Sequence, residues 1–179
     1  MGSSRQMEHP EITDHSPKVF VVLGSKRGGT SFLAQVLGEN GVHFDICGNG
    51  HNEDLDFVKF NNAVLETAGG DWNDLPPDEA VAEAVEEHGV WLNNLVHRKA
   101  QDRAMWGWKD PRQGATIKHI LPYLEDDVYL VCVFRKPDKV AESMGRIWGR
   151  PHDVDRRIVM DYYRRIIDGV RAFIGLDEG

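Results

Sequence analysis

The stretch Lys18–Ser31, KVFVVLGSKRGGTS, decides the fold class of this chain. Its first part, Lys18–Leu23, is a β-branched apolar run of the kind that forms a buried parallel strand. A glycine-rich loop follows, and a helix is then predicted up to the stop signal Asn40-Gly41. Apolar residues recur at helical spacing on its expected inner face: Phe32, Leu33, Val36 and Leu37. A strand that runs through a glycine-rich loop into a helix is typical of parallel α/β proteins.

Three further segments predict strands of the same sheet: Val42–Asp45, Met105–Trp108 and Val128–Phe134. The last of them, VYLVCVF, is continuous and apolar, so we expect it to be covered on both faces. Helical patterns separate the strands, and one of them opens at Pro76-Pro77 and is interrupted at Gly89. The alternation predicts an α/β protein with a three-layer, P-loop-like fold, in which helices flank a mainly parallel sheet of about four strands.

Composition excludes several classes of protein. The chain has 179 residues, 41% of them hydrophobic, which suits one domain with a real core. No apolar run approaches the roughly 20 residues of a membrane-spanning helix, and no signal-peptide core is present. The net charge of -8 disfavours general nucleic-acid binding. Two cysteines without metal-ligand spacing fit a reducing compartment. We therefore expect a cytoplasmic protein that binds neither membranes nor nucleic acid.

The loop Gly24–Ser31 resembles a phosphate-binding loop but lacks one residue of the nucleoside-triphosphate type. Its glycines have the GxxxxG spacing, yet Thr30 occupies the position of the lysine in GxxxxGK[ST]. The cations stand earlier, at Lys26 and Arg27, and backbone N–H groups at such a helix start point toward an anion. The pattern favours a ligand without a β/γ-phosphate pair. The alternative interpretation is that this loop is a plain strand-to-helix turn that binds no phosphate.

A second candidate anion site follows the strand predicted at Val128–Phe134. Arg135 leaves the end of that strand, Pro137 begins a helix, and Ser143 lies two turns along it. Ligands of open α/β sheets bind outside the carboxyl ends of the strands. We expect the guanidinium and the hydroxyl to converge on one phosphate, although solvated basic residues on a helix would give the same pattern.

The two segments together resemble the sulfotransferases that use 3′-phosphoadenosine 5′-phosphosulfate (PAPS). Ser25–Ser31, SKRGGTS, is similar to their 5′-phosphosulfate loop, PKSGT[TS] or PRSGT[TS], with Gly28 in place of the usual serine. Arg135–Ser143, RKPDKVAES, matches their 3′-phosphate segment RxPxxVxxS. Lys109–Pro111 is similar to the KDP of the tyrosylprotein branch and of many bacterial relatives. The order of predicted strands and helices is similar to that of the family over roughly residues 18–175.

This resemblance implies one sulfotransferase-like domain over 18–179. The polar residues before it predict a disordered leader at 1–17. It implies metal-independent transfer of a sulfuryl group from PAPS to a hydroxyl or amine acceptor, with release of 3′,5′-adenosine bisphosphate (PAP). The chain is short for the family, so we expect part of the acceptor- or adenine-covering segment to be absent or supplied by another subunit.

The resemblance also implies roles for individual residues. The residues expected to bind the nucleotide are Lys26, Arg27, Gly28, Gly29, Thr30, Ser31, Arg135 and Ser143. Arg27 would stabilise the leaving 5′-phosphate, and Lys109 would approach the sulfuryl oxygens. The expected general base is Glu53, with His51 as the second candidate. Glu53 and Asp54 could instead only complement a helix N-terminus.

Two other interpretations stay open. A small kinase with a deviant P-loop would need the missing lysine and a magnesium-binding acid, for which Asp110 is the candidate. A non-catalytic protein that binds PAP or PAPS would keep the nucleotide site without turnover. The acceptor (a small molecule, a peptide or a glycan) and the oligomeric state, including a homo-oligomer, are not determined by the sequence.

Overall fold

The computed structural model describes residues 17–45, 52–125 and 127–176. Strands and helices follow one another in this order: β1 Lys18–Leu23, α1 Thr30–Glu39, β2 His43–Phe44, α2 Leu55–Thr67, α3 Asp78–Glu87, α4 Gly89–Ala100, β3 Met105–Lys109, α5 Gln113–Ile120, β4 Asp127–Cys132, α6 Pro137–Trp148 and α7 His152–Phe173. A 3-10 turn, Leu121–Tyr123, follows α5. The leader predicted at 1–17 lies outside the described residues except for Pro17.

The four strands form one parallel sheet in the order β2-β3-β1-β4. β1 pairs with β3, where Val19 lies opposite Trp106, and with β4, where Val21 lies opposite Leu130. The carboxyl ends of β1, β3 and β4 therefore meet at one edge of the sheet, which is the edge where such folds bind ligands. The predicted α/β fold, with helices around a parallel sheet of four strands, is confirmed.

The hydrophobic core lies between one face of the sheet and the helices that follow β2. Val19, Val21 and Leu23 of β1 are fully buried in it. Trp108 of β3 stacks on Phe57 of α2 with ring centroids 4.0 Å apart. Complete burial of one such side chain contributes about 1.5–3 kcal/mol. This packing fixes β1 and β3, whose carboxyl ends carry the loops of interest.

The other face of the sheet is covered less completely, and one prediction about it is wrong. β4 is an edge strand, paired with β1 alone among the described strands, and it ends at Cys132 instead of Phe134. Its Tyr129 is 42% exposed, so the strand is not covered on both faces. The reason is that α1, the helix on this side, packs over β1 and β3.

The predicted inner face of α1 is wrong in part, since Leu33 and Leu37 are half-buried but the other two predicted residues are exposed. Phe32 is 72% exposed and Val36 is at the surface, whereas Thr30 and Ala34 are buried. Small side chains face the sheet here and let the helix lie close to it. The large side chains of Phe32 and Val36 are therefore left exposed on the surface of the helix.

The interruption predicted at Gly89 is confirmed. α3 ends at Glu87, and α4 begins at Gly89. A Cβ atom at Gly89 would come within 2.9 Å of the Tyr123 hydroxyl, so a larger residue could enter only if the Tyr123 side chain shifted. Within the described residues, no helix is both long and apolar enough to cross a membrane.

Candidate functional site

The loop between β1 and α1 has the backbone shape of an anion-binding loop. Arg27 and Gly29 have positive φ angles of 63° and 109°, and the Gly28 N–H donates to the Ser25 carbonyl at 3.0 Å. A Cβ atom at Gly28 would lie 2.8 Å from that carbonyl oxygen, so a serine could enter only if the loop shifted. α1 begins directly afterwards at Thr30, and the N–H groups of its first turn lie at the end of the loop.

The two predicted anion-binding segments meet at Arg27. The Arg27 Nε donates to Ser143 Oγ of α6 at 3.1 Å, and Ser143 is 5% exposed. The Arg135 guanidinium reaches the Arg27 carbonyl oxygen at 3.5 Å. Arg135 and Ser143 thus converge on the loop residue Arg27. The fold brings the loop after β1 and the segment after β4 to one place.

Tyr163 of α7 connects the same two segments, a role for which its sequence position gives no signal. Its hydroxyl donates to the Arg135 carbonyl at 2.9 Å and accepts from the Arg135 N–H at 3.0 Å. Ser25 Oγ lies 3.3 Å from the same hydroxyl. Tyr163 belongs to the apolar stripe of α7 and is 7% exposed, so its periodicity alone indicates packing.

A cavity of about 520 Å³ opens beside the loop at the carboxyl ends of β1 and β3. This volume lies within the range of about 300–1,000 Å³ that small-molecule sites have. The residues that line it are Lys26, Arg27, Gly29, Thr30, Ser31, Glu53, Lys109, Pro111, Ile147 and Trp148. Most of the residues predicted for the site therefore share one cavity. Gly28, Arg135 and Ser143 adjoin it through the loop.

Lys109 and Glu53 form an ion pair in this cavity. Lys109 Nζ lies 3.3 Å from Glu53 Oε1, and the two side chains are 2% and 18% exposed. Burial lowers the pKa of Lys109, although the Glu53 carboxylate opposes that shift. The pair places a cation and a carboxylate next to the loop. His51, the second candidate base, lies outside the described residues.

The N-terminus of α2 is capped by the neighbour of Glu53. Asp54 Oδ1 accepts from the Asp56 N–H at 2.9 Å, and Asp54 Oδ2 accepts from Lys99 Nζ at 2.7 Å. The Asp54 N–H reaches the Lys109 carbonyl at 3.3 Å. Asp54, and not Glu53, is therefore the helix cap. This leaves the Glu53 carboxylate directed toward Lys109.

Asp110, the acid of the KDP segment, lies behind the cavity. It is fully buried, and its carboxylate accepts from Asn61 Nδ2 at 2.9 Å and from Arg112 Nη1 at 2.8 Å. Burial raises the pKa of Asp110. Asp110 orients Arg112, while the partner of Lys109 is Glu53.

Two tryptophans and two cations pack together beside the cavity, which Lys26 and Trp148 line, and of the four residues only Lys26 was predicted from the sequence. Lys26 Nζ lies 3.3 Å from the centre of the Trp72 ring. Trp148, at the end of α6, lies 5.4 Å from Trp72 between ring centroids, and Arg150 is 5.0 Å from the Trp72 ring. Trp72 stands in a loop without a motif, so only tertiary packing brings it here.

Comparisons of the chain with protein-family models, with curated protein sequences and with solved structures find no significant match. Among the residues that the structure describes, no group of three or more histidine, cysteine, aspartate or glutamate side chains is arranged to hold a metal ion.

Proposed function

We propose that this protein is a sulfotransferase that uses PAPS as its sulfuryl donor. The observation that carries the proposal is the contact of Arg27 with Ser143, which joins two predicted anion-binding segments 116 residues apart in the chain. A nucleotide that carries anionic groups at both its 5′ and 3′ positions needs two anion-binding sites at a fixed separation. One phosphate loop alone would not require the second segment.

The proposed binding mode follows from the positions of the cations. The N–H groups at the start of α1, with Thr30 and Ser31, would hold the 5′-phosphosulfate. Arg135 and Ser143 would hold the 3′-phosphate by charge-assisted hydrogen bonds. Arg27 lies between the two groups, and its guanidinium would stabilise the charge that develops on the leaving 5′-phosphate.

The proposed chemical step uses the ion pair of the cavity. An acceptor hydroxyl attacks the sulfur atom, and the bond from sulfur to the 5′-phosphate oxygen breaks. Glu53 takes the hydroxyl proton, and PAP leaves with the electron pair of the broken bond. Lys109, next to Glu53, would stabilise the sulfuryl oxygens during transfer. An amine acceptor would react in the same way.

The geometry favours this proposal over a kinase. A kinase would use an acid at a strand end to hold magnesium, and Asp110 was its candidate. Both oxygens of Asp110 already accept hydrogen bonds from Asn61 and Arg112 behind the cavity. A protein that binds PAP without turnover would not need the Lys109–Glu53 pair.

We also propose a cytoplasmic location, because the described cysteine, Cys132, is a free thiol.

Calorimetric titration with PAP, 5′-AMP and ATP, each with and without magnesium, tests the proposal. We expect PAP to bind most tightly of the three nucleotides, with the same affinity with and without magnesium. 5′-AMP, which lacks the 3′-phosphate, should bind much more weakly than PAP. If ATP with magnesium bound as well as PAP or better, the loop would belong to a kinase and the proposal would be wrong.

A further inference from the structure

Lys26 is a cation of the cavity that the proposed reaction does not use. It lines the cavity and is partly buried, and its Nζ lies over the Trp72 ring at 3.3 Å. Within the described part of the chain, no carboxylate lies within ion-pair distance of Lys26. The ring face orients the ammonium group without neutralising it.

The other charged residues of the cavity wall are already engaged. Arg27 bonds to Ser143, and Lys109 pairs with Glu53. The wall thus carries three cations, Lys26 among them, and one carboxylate. A donor held at Arg27 and Lys109 leaves Lys26 as the third cation of the lining, with its ammonium group on the Trp72 side of the cavity. A partly buried charge that forms no ion pair within the described part of the chain favours an anionic partner.

The wall next to Lys26 is apolar and partly open. Ile147 and Trp148 line the cavity and are 53% and 40% exposed, and Pro111 completes this side. Trp148 lies beside Trp72, and the Arg150 guanidinium lies 5.2 Å from the Trp148 ring. A partly exposed indole beside the exposed Ile147 side chain suits the flat ring of a ligand.

We propose that the acceptor is an anion: a ring-bearing hydroxyl compound with a carboxylate that pairs with Lys26 while its ring lies on Trp148 and Ile147. Lys26 is then the residue that determines acceptor specificity, in place of the role in nucleotide binding that its position in the loop predicts. The inference rests on the proposed function and names the substrate class of the same cavity.

The electrostatics around Lys26 agree with this assignment. Burial, and next the nearby Arg112, lower the pKa of Lys26 to about 8. Arg150 adds to this effect, while Asp110 and Glu53 oppose it. Lys26 is therefore mainly protonated at pH 7 and loses its charge above pH 8. A carboxylate beside it would relieve the repulsion from the two arginines.

Two acceptors of equal shape test the inference. Protein saturated with PAP is titrated by calorimetry with 4-hydroxyphenylacetate and with its neutral amide, 4-hydroxyphenylacetamide. We expect the carboxylate to bind at least about 10-fold more tightly at pH 7, the effect of one charge-assisted contact. The affinity ratio should fall toward one in Lys26→Met and, in the wild type, as the pH rises from 7 to 9. Lys26→Arg should retain the preference.

A matched control removes the same charge outside the cavity. Lys139 lies on α6, is 58% exposed and pairs with Glu142, so Lys139→Met should keep the wild-type ratio. The inference is wrong if the wild type binds neither acceptor, if it binds both equally, or if Lys26→Met leaves the ratio intact while remaining folded in a thermal unfolding scan. Absence of PAP binding would instead overturn the proposed function, and the inference with it.

Discussion

At the scale of single residues, Arg27 combines a strained backbone with the central contact of the site. A non-glycine residue with a φ of 63° costs about 1–2 kcal/mol relative to an ordinary conformation. Such conformations persist where the surrounding structure enforces them, and they concentrate at functional sites. The side chain of Arg27 gives a reason for keeping arginine here, because it reaches Ser143 across the cavity edge.

A pair of substitutions separates the backbone of Arg27 from its side chain. Arg27→Ala and Arg27→Gly both remove the guanidinium, so both should weaken PAP binding by a similar factor. Because glycine adopts positive φ without strain, we expect the glycine variant to be more stable than the alanine variant by about 1 kcal/mol. Chemical unfolding measures the stability difference, and calorimetry measures PAP affinity. A less stable glycine variant would contradict the backbone geometry.

Glu53 is the residue on which turnover should depend. Glu53→Gln keeps the size of the side chain and removes its capacity to accept a proton. We expect kcat for PAPS-dependent sulfation to fall by about 100- to 10,000-fold, with PAP affinity changed little. The matched control is Glu142→Gln on the exposed surface of α6, which should retain wild-type kcat. Full activity of Glu53→Gln would show that another group is the base.

At this scale the sequence predicted most of the residues that line the cavity. Lys109 and Glu53 were named from the KDP segment and from the position after β2, and the structure places them 3.3 Å apart. Trp72, Trp148 and Tyr163 were missed as members of the site. Their positions depend on how α6, α7 and a loop pack, and no local spacing encodes that packing.

At the scale of elements, Lys99 of α4 holds the N-terminus of α2 next to β3. Lys99 Nζ lies 2.7 Å from Asp54, 2.9 Å from Asp45 and 3.1 Å from Asp56, and Lys99 is 5% exposed. Burial alone would lower the pKa of Lys99, but the three carboxylates outweigh burial and raise it. The same network fixes Asp54, and with it the neighbouring Glu53.

Removal of Lys99 should destabilise the protein strongly. Lys99→Met leaves several carboxylates close together without their shared cation, and breaking a buried pair costs about 3–5 kcal/mol. Urea unfolding at pH 7 measures the loss. Lys118→Met, in which an exposed lysine loses its pair with Asp78, should cost less than about 1 kcal/mol. Equal losses in the two variants would contradict the role given to the network.

The network also predicts a dependence of stability on pH. Burial favours a raised pKa for Asp45, but hydrogen bonds from Lys99, His43 and Arg103 outweigh burial and hold it well below 3.8. Because the folded-state pKa is the lower one, Asp45 contributes stability above about pH 4 that is lost as the pH falls. We expect the wild type to lose stability more steeply than Asp45→Asn between pH 5 and 2. Equal slopes in urea unfolding would contradict this.

Tyr163 gives a further test of how helices position the site. Tyr163→Phe removes the hydroxyl that bonds to both backbone groups of Arg135 and to Ser25. We expect a stability loss of about 1–3 kcal/mol and weaker PAP binding, because the second anion segment loses its support. The control is Tyr162→Phe, whose hydroxyl bonds to the Trp72 carbonyl instead. Its PAP affinity should stay near that of the wild type.

At the scale of the whole molecule, the sequence predicted the α/β class and the parallel sheet. β1, β3 and β4 were recognisable from their own apolar runs and from the loops after them, and β2 only as the short segment Val42–Asp45. The strand order was not recognisable in this way, because it depends on pairing between distant segments. VYLVCVF, in the region of β4, resembles a central strand by composition, yet β4 forms the edge of the sheet. The exposed faces of α1 and β4 follow from that order.

In the proposed binding mode, one nucleotide bridges the loop after β1 and the segment after β4. The most direct test compares the affinities of PAP and 5′-AMP for the wild type and for Arg135→Gln. We expect the substitution to weaken PAP binding by about 1.5–3 kcal/mol, roughly 10- to 150-fold, and to leave 5′-AMP binding unchanged, because only PAP carries the 3′-phosphate. An equal effect on both nucleotides, or none on PAP, would contradict it.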